Sequence, residues 1–472
     1  MYAADEQKSP GRKLLLAILV GMALAIPIFM VWALVYDRQT RSEEARASIT
    51  EGWGGPQVMS GPVLVIPYKQ TVTETSDVGG KPVTRTRTLD KELALDPEAI
   101  DIASTVKPEL RERSIYEAVV YDASARGSAR FGFPADLARY GVDPATLELN
   151  RAELRFGLSD PRGLGANPSV KLDGRAVRLQ PGSGGGRGSG FFAFVDVSAM
   201  RAKSQVVEFD YQLRGNSSLA LEPRGGDIHW QVASSWPHPS FAGGFLPGSR
   251  GIRNDGFEAD YRIGNLSLGR TLVSTADKGG TSLGDRATAI NAAMVEGDGS
   301  AGASPATASN QLASISLIQP VDLYSQVDRA TKYGFLFIGF TFMALLMFDI
   351  IGGVRVAAVE YLLMGAAIVL FFVLLLAFAE VIGFTPAYIL ASAAIAGLNT
   401  AYSAAVLGSW KRGYVVGALL LGLYAVLYIL LGLEDFSLLI GSVLLFLALA
   451  GVMYATRRID WSGTAVQEAH AS

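Results

Sequence analysis

The chain contains no cysteine. That absence excludes disulfides, thiolate metal sites and cysteine nucleophiles. Histidine is nearly absent too, with three in 472 residues. Acids and bases almost balance: 41 Lys and Arg against 44 Asp and Glu leave a net charge of −3. With no global basic field, nucleic acid is not an expected partner.

What the chain has in excess is long apolar runs. Five are read toward the C-terminus: Tyr333–Ile351, Ala357–Ala379, Pro386–Val406, Tyr414–Leu431 and Phe436–Ala455. A sixth, Leu14–Tyr36, stands apart near the N-terminus. A bilayer core roughly 30 Å thick needs about 20 apolar residues per helix. Lipid offers no partner to a bare backbone, so such spans fold as helices. The first run follows Arg12 and Lys13. Ala23-Leu24-Ala25 resembles a cleavage site, but the apolar stretch continues past it, so an uncleaved anchor is expected. Pro27 predicts a kink in this helix. Ala17, Gly21 and Ala25 form a small-residue stripe for close helix approach, as do Ala393, Gly397, Ala401 and Ala405.

Basic residues near span ends set orientation. With both termini cytoplasmic, Arg12, Lys13, Arg355, Lys411, Arg412, Arg457 and Arg458 all fall inside. Arg38, Arg41 and Arg46 oppose this arrangement, and the later loops outvote them. The expected layout is a cytoplasmic tail with an anchor helix (residues 1–36), an extracytoplasmic domain (37–331), a C-terminal bundle of about five transmembrane helices (332–456) and a cytoplasmic tail (457–472). In a Gram-negative source the second region is periplasmic.

Residues 37–331 change period. Asp37–Glu51 extends the anchor helix as far as Gly52. Val207, Phe209, Tyr211 and Leu213 then alternate with polar residues, as do Ile228, Trp230 and Val232. That alternation marks half-buried strands. Further strands are read at Gly61–Tyr68, Thr84–Leu89, Ser114–Tyr121, Ala129–Phe133, Glu148–Leu158, Phe191–Val197, Leu219–Glu222, Gly256–Ile263 and Ser314–Ile318, with one short helix at Ala135–Tyr140. Many short strands between turn residues predict a large antiparallel β domain. Pro181–Gly190 and Gly297–Ala308 read as surface loops or linkers.

No residue pattern specifies chemistry. GTSLG (Gly280–Gly284) matches a nucleophile elbow around Ser282, but turn residues precede it where a strand is required. His229 and His238 match no common metal-ligand spacing, and alternation turns His229 away from the buried face. No catalytic residue, metal or cofactor is assigned. Two groups remain as candidate sites. One is a binding surface of Trp53, Gly54, Gly55, Pro56, Asp160, Arg162, Trp236, His238 and Phe241, drawn from turn-rich segments that more often make tight corners. The other is a membrane polar cluster: Asp349, Arg355 and Glu360 at the inner face, Glu380 at the outer, and Asn399 within its helix. Ionisable groups in a bilayer are costly and mark function by default, although these acids lie near the interfaces.

The ordered blocks WGGPQ…GPVLVIPY (Trp53–Tyr68), RERSIYEAVVY (Arg111–Tyr121), SDPRGL (Ser159–Leu164), SSWPHPSFAGGFLP (Ser234–Pro247), PVDLY…RATKYGFLFIGFTF (Pro320–Phe342), LEDFSLLIGSVLLF (Leu433–Phe446) and VMYATRRIDW (Val452–Trp461) resemble the CreD family of bacterial inner-membrane envelope-integrity proteins. Asp349 stands where the family leads one to expect glutamate. The resemblance implies an anchor helix, a periplasmic domain, a helical C-terminal region and a role in envelope stress, β-lactam response and colicin tolerance under a sensor kinase and response regulator. It implies no catalytic residue. The expected function is non-enzymatic support of the envelope, with membrane lipid as surroundings, a periplasmic protein or glycan as partner, and a homo-oligomer compatible with it. The rival is a transporter or lipid-handling channel in the helix bundle.

Overall fold

The structure, a computed structural model, describes residues 10–78, 81–183, 189–275, 311–317, 323–350 and 356–432, with isolated positions at 283, 287 and between 439 and 457. Ser282, Arg355, Gly297–Ala308 and most of Phe436–Ala455 lie outside the described residues. The chain forms two compact units, one of residues 1–43 with 321–472 and one of residues 44–320.

The first unit is helical. Helix α1 (Pro10–Thr50) runs through Pro27 without a break. After the second unit come α2 (Leu323–Lys332), α3 (Gly334–Ile350), α4 (Ala358–Ile382), α5 (Phe384–Val406) and α6 (Trp410–Gly432). Among the described residues five helical stretches are long and apolar enough to cross a membrane: one near the N-terminus and four toward the C-terminus. Gly383 and Gly408, both at positive φ, turn the chain between α4 and α5 and between α5 and α6. Among the described residues the stripe Ala393, Gly397, Ala401 and Ala405 meets no neighbouring helix, and all four are exposed. The close approach occurs one face over: a Cβ on Gly413 would lie 2.8 Å from the Ala404 Cβ, and one on Gly417 would meet the Thr400 side chain. Here the glycines of α6, not those of α5, admit the neighbour.

The second unit is two β-sheets around one core. Its strands are β1 (Gln57–Val78), β2 (Lys81–Leu95), β3 (Ala99–Arg113), β4 (Tyr116–Phe131), β5 (Ala152–Leu158), β6 (Ser169–Leu172), β7 (Arg175–Ala176), β8 (Gln180–Ser183) and β9 (Ser189–Val195). They continue as β10 (Gln205–Asn216), β11 (Ser218–Glu222), β12 (Asp227–Ser234), β13 (Ser240–Gly243), β14 (Ser249–Arg253), β15 (Gly256–Gly264), β16 (Val273–Ser274) and β17 (Ala313–Ser316). One sheet has the order β13-β17-β11-β1-β5-β9-β8, with β2 on β1 and β16 on β2. The other runs β14-β15-β12-β3-β4-β10-β6-β7.

The inner faces meet through large aromatics. Phe156 of the first sheet lies 5.6 Å from Phe209 and 6.2 Å from Tyr211 of the second, ring centre to ring centre. Trp230 is fully buried, stacks on Tyr261 at 4.9 Å and donates its indole N–H to Ser104 Oγ at 3.0 Å. A buried indole N–H needs such a partner.

The sheets are not wholly antiparallel. β1 runs parallel to β11, and β3 parallel to β12. The reason is connectivity: each pair is joined through other strands, so no tight hairpin forces the direction. The strand β3 itself went unread in the sequence. Its buried positions, Ile100, Ile102, Ser104 and Val106, include a polar residue that Trp230 requires. The short helix tightens to a single 3₁₀ turn, Leu137–Tyr140. The Gly-rich Pro181–Gly190 is not a free linker at its ends, since Pro181 pairs with Phe191 and Ser183 with Ser189 across β8 and β9.

Candidate functional site

The structure brings Trp53–Pro56 and Ser159–Gly163 into one corner. Gly55 N–H donates to Asp160 Oδ2 at 3.1 Å, Ser159 Oγ donates to the Pro56 carbonyl at 2.7 Å, and Val58 N–H donates to Ser159 Oγ at 2.9 Å. Gln57 Nε2 donates to the carbonyls of Asp160 and Arg214 at 3.1 and 3.0 Å. The glycines are dictated by space. Gly54 sits at φ +108° with the Arg214 carbonyl 2.9 Å from where a Cβ would stand, and a Cβ on Gly163 would collide with that same carbonyl. A side chain at either position would push its loop away from the Arg214 carbonyl of β10.

Charge organises the rim of this corner. Arg162 donates from Nε and Nη2 to the Asp160 carboxylate, at 3.0 and 2.8 Å. The Arg162 hydrogen bonds hold the Asp160 carboxyl below the usual carboxylate range. Trp53 donates its indole N–H to the Tyr121 carbonyl at 3.2 Å. The guanidinium groups of Arg111 and Arg214 lie 3.9 and 4.8 Å from its ring centre. Arginine over an indole face is attracted by the ring quadrupole. The side chains of Arg111 and Arg214 are 40% and 56% exposed, so two arginines flank the ring, each also paired with an acid, Glu109 and Asp122, while the exposed Arg162 pairs with Asp160. Arg111 and Arg214 were not singled out from the sequence, because they lie on β3 and β10, far along the chain.

The third segment stands apart on the same sheet. Phe241 pairs with Ile315, Ile315 with Leu219, and Leu219 with Gln57. That places it three strands from Gln57, about 14 Å at the usual spacing. Trp236 is buried and donates to the His238 carbonyl at 3.0 Å, while the His238 side chain is exposed. Phe241 lies 5.7 Å from Phe257 in an edge-to-face contact.

His229 occupies a central strand rather than an edge. Its Nε2 lies 2.7 Å from Asp260 Oδ2 on β15, and its Nδ1 lies 3.2 Å from Asp101 Oδ1 on β3. Carboxylates only accept, so both contacts are satisfied together only by an imidazolium. The hydrogen bond to Asp260, with that to Asp101, raises the His229 pKa, against the opposing effects of burial and of Arg262. The two ring nitrogens point to different strands. Among the described residues no group of three or more acids and histidines is arranged to hold a metal.

In the helical unit, Asp349 at the end of α3 is 3% exposed by side chain and pairs with Lys13 of α1 at 2.8 Å. Glu360 accepts from the backbone N–H of Ala357 at 2.7 Å, capping its own helix. At the other end of α4, Glu380 accepts from Tyr324 Oη at 3.3 Å and lies 3.9 Å from Arg38. Thus Asp349 and Glu360 take different partners, and Lys13 was the missing one. Asn399 is 1% exposed, and its Nδ2 donates to no described group. It shares one face of α5 with Tyr388, Ser392 and Ser403, all buried. A groove of about 420 Å³ between α1 and α3 is lined by apolar residues, including Ala17, Gly21, Ala25, Ile338 and Phe342.

These features define a class: a multi-span membrane protein whose first helix is separated from the rest by a large inserted β unit. Within that class the chain belongs to the CreD family, since the family model "Inner membrane protein CreD" matches residues 9–462. It is similar to the inner membrane protein CreD of Escherichia coli, 30% identical over 455 residues that cover 96% of this chain and 93% of that protein. A solved M1 zinc metallopeptidase from Deinococcus radiodurans shares 12% identity at a TM-score of 0.20, over 36% of this chain and 39% of that one, and carries no argument.

Proposed function

We propose that this protein supports the integrity of the cell envelope without catalysing a reaction, its β unit binding another envelope component in the periplasm while the helices hold it in the inner membrane. The observation that carries this reading is the corner of Trp53, Asp160 and Arg162, where two loops are locked into one rim by hydrogen bonds between residues as far as 105 apart in the chain. Rigid, partly exposed aromatic and arginine groups are the common anchors of protein interfaces. The orientation is supported by charge. Helices alternate in direction, so Lys13 at the start of α1 shares an end with Lys411 and Arg412 at the start of α6. Lysine and arginine concentrate on the cytoplasmic side. In the chain the β unit follows α1 and precedes α2.

Photo-crosslinking amino acids placed at Trp53, Arg162 and Phe241 of the full chain in living cells test this. The expected result is one specific protein or glycan adduct at Trp53 and Arg162. An absence of any specific adduct at all three positions overturns it. Since the chain has no cysteine, a single cysteine at Arg162 reports orientation, and it should react with a membrane-impermeant maleimide added to the periplasmic side.

A further inference from the structure

Short hydroxyls in the helical unit close on their own helix. Thr341 donates to the Phe337 carbonyl at 2.7 Å, Ser392 to the Tyr388 carbonyl at 2.7 Å and Thr400 to the Ala396 carbonyl at 2.6 Å. Such side chains reach the carbonyl one turn back. A longer one must find its partner elsewhere. Tyr388 does so: its hydroxyl crosses to α6 and donates to the Tyr424 carbonyl at 2.7 Å. Asn399 Nδ2 and Tyr424 Oη do not. Neither finds a partner among the described residues, although the two residues are only 1% and 2% exposed. A polar group left unsatisfied inside a membrane span is costly, because lipid offers it nothing.

The two orphans come to one place. Gly413 of α6 stands against Ala404 of α5 and Gly417 against Thr400, while Tyr388 reaches Tyr424. Numbers rise along α6 as they fall along α5, so the helices are antiparallel. Side chains lean toward the N-terminus of their own helix. Tyr424 therefore leans back toward Gly417, and Asn399 toward Ile395, which brings the two heads within one turn of each other along the axis. Both also meet α4. The Tyr424 ring centre lies 4.5 Å from that of Phe371. Ser403, one turn from Asn399 on the same buried face of α5, donates to Met364 Sδ at 3.7 Å. Asn399 thus meets α4 one turn beyond Met364, at the buried Ile368. Ile368 and Phe371 are neighbours on one helix face. They stand about 15–20 Å along the roughly 37 Å of this 25-residue helix, the middle of the span. A third orphan hydroxyl, on Tyr361, lies two turns back on α4 and leans toward the helix start, so it belongs to a separate place.

We propose that Asn399 and Tyr424 bind one water molecule at this depth, which bridges α5 to α6. The Asn399 Nδ2 group only donates, so its ligand must accept, whereas the phenol hydroxyl accepts or donates. Water meets both demands at once. Internal waters settle where two or more otherwise unsatisfied polar groups converge, and a bridging water holds two groups nearly as well as a direct hydrogen bond. The site is independent of whatever binds the Trp53 corner.

The test uses the full chain in lipid bilayers, unfolded by titration with a denaturing detergent. Asn399→Leu and Tyr424→Phe each strand one end of the bridge, and each should raise the unfolding constant at least threefold. The double variant should be no worse than the worse single, because the bridge is already lost. Ser392→Ala removes a hydroxyl satisfied within its own helix, and its effect should simply add to that of Tyr424→Phe. Infrared difference spectra of wild type against Tyr424→Phe should show the loss of one bound-water band that shifts in isotope-labelled water. That band decides the matter if Asn399→Leu fails to fold. Independent effects of Asn399→Leu and Tyr424→Phe, single variants more stable than wild type, or coupling with no water band lost, the mark of a direct Asn399–Tyr424 bond, would each overturn the bridge.

Discussion

The two units solve opposite problems with the same residues. In the β unit the large apolar side chains, Trp230, Tyr121 and Phe156, are fully buried, and charged pairs such as Arg126–Asp210 sit outside. In the helical unit Leu15, Ile18, Phe29 and Ile389 are exposed, while Asp349, Asn399 and Ser403 are buried. Water drives the first arrangement by rejecting apolar surface. Lipid removes that drive and leaves interhelical packing and polar contacts to hold helices together. The lesson is that burial means different things in the two units. A buried polar group in the β unit serves a neighbour, as Ser104 serves Trp230. In the helical unit Asp349 ties α3 to α1 through Lys13, and Ser403 of α5 donates to Met364 Sδ of α4 at 3.7 Å.

Three changes break or sharpen this contrast. The largest effect is expected from Trp230→Ala, which removes a stacked ring and strands Ser104. Core Trp to Ala substitutions cost about 3–5 kcal/mol, and pulse proteolysis of the β unit should show that loss while the helical unit stays in the membrane. Next comes Lys13→Met, which leaves the Asp349 carboxylate buried without its cation. Breaking a fully buried pair costs about 3–5 kcal/mol, and the 28% exposure of Lys13 reduces the expectation to about 1–2 kcal/mol. Adding Asp349→Leu should recover most of it, as measured by resistance to detergent unfolding. If the double variant is worse than the single, the pair has a role beyond packing.

The smallest effect is expected at His229→Gln, and it depends on pH. The His229 pKa is raised in the fold, so its contribution is complete below its ordinary value of about 6.5 and fades as pH rises through the folded value. Hydrogen bonding to His229 lowers the Asp260 pKa, so that contribution is present above about 3.9 and fades as pH falls. The stability gap between wild type and variant should therefore be widest between about pH 4 and 6.5 and narrow above that. A gap independent of pH would show that the ring packs rather than carries charge.

Much of this architecture was legible because each unit writes its own period. The spans announced themselves by length, and β10 and β12 by strict alternation. What stayed hidden was whatever depends on distant partners. Asp101 and Asp260 lie 128 and 31 residues from His229, so no local window pairs them. Lys13 and Asp349 are 336 residues apart. β3 escaped notice because a serine occupies one of its inward positions, and the parallel joints escaped because only the finished sheet sets their direction. The turn-rich WGGPQ and SDPRG segments were readable as a corner, but the flanking Arg111 and Arg214 were not.

One consequence follows from the order of the chain. Residues 44–320 are spliced between the first helix and the remaining spans, so this unit has two covalent tethers. A single cut by a protease anywhere within it frees nothing: each half keeps its own membrane segment, and the strands shared across the nick hold the halves together. Shedding the unit would require two cuts, one near each tether.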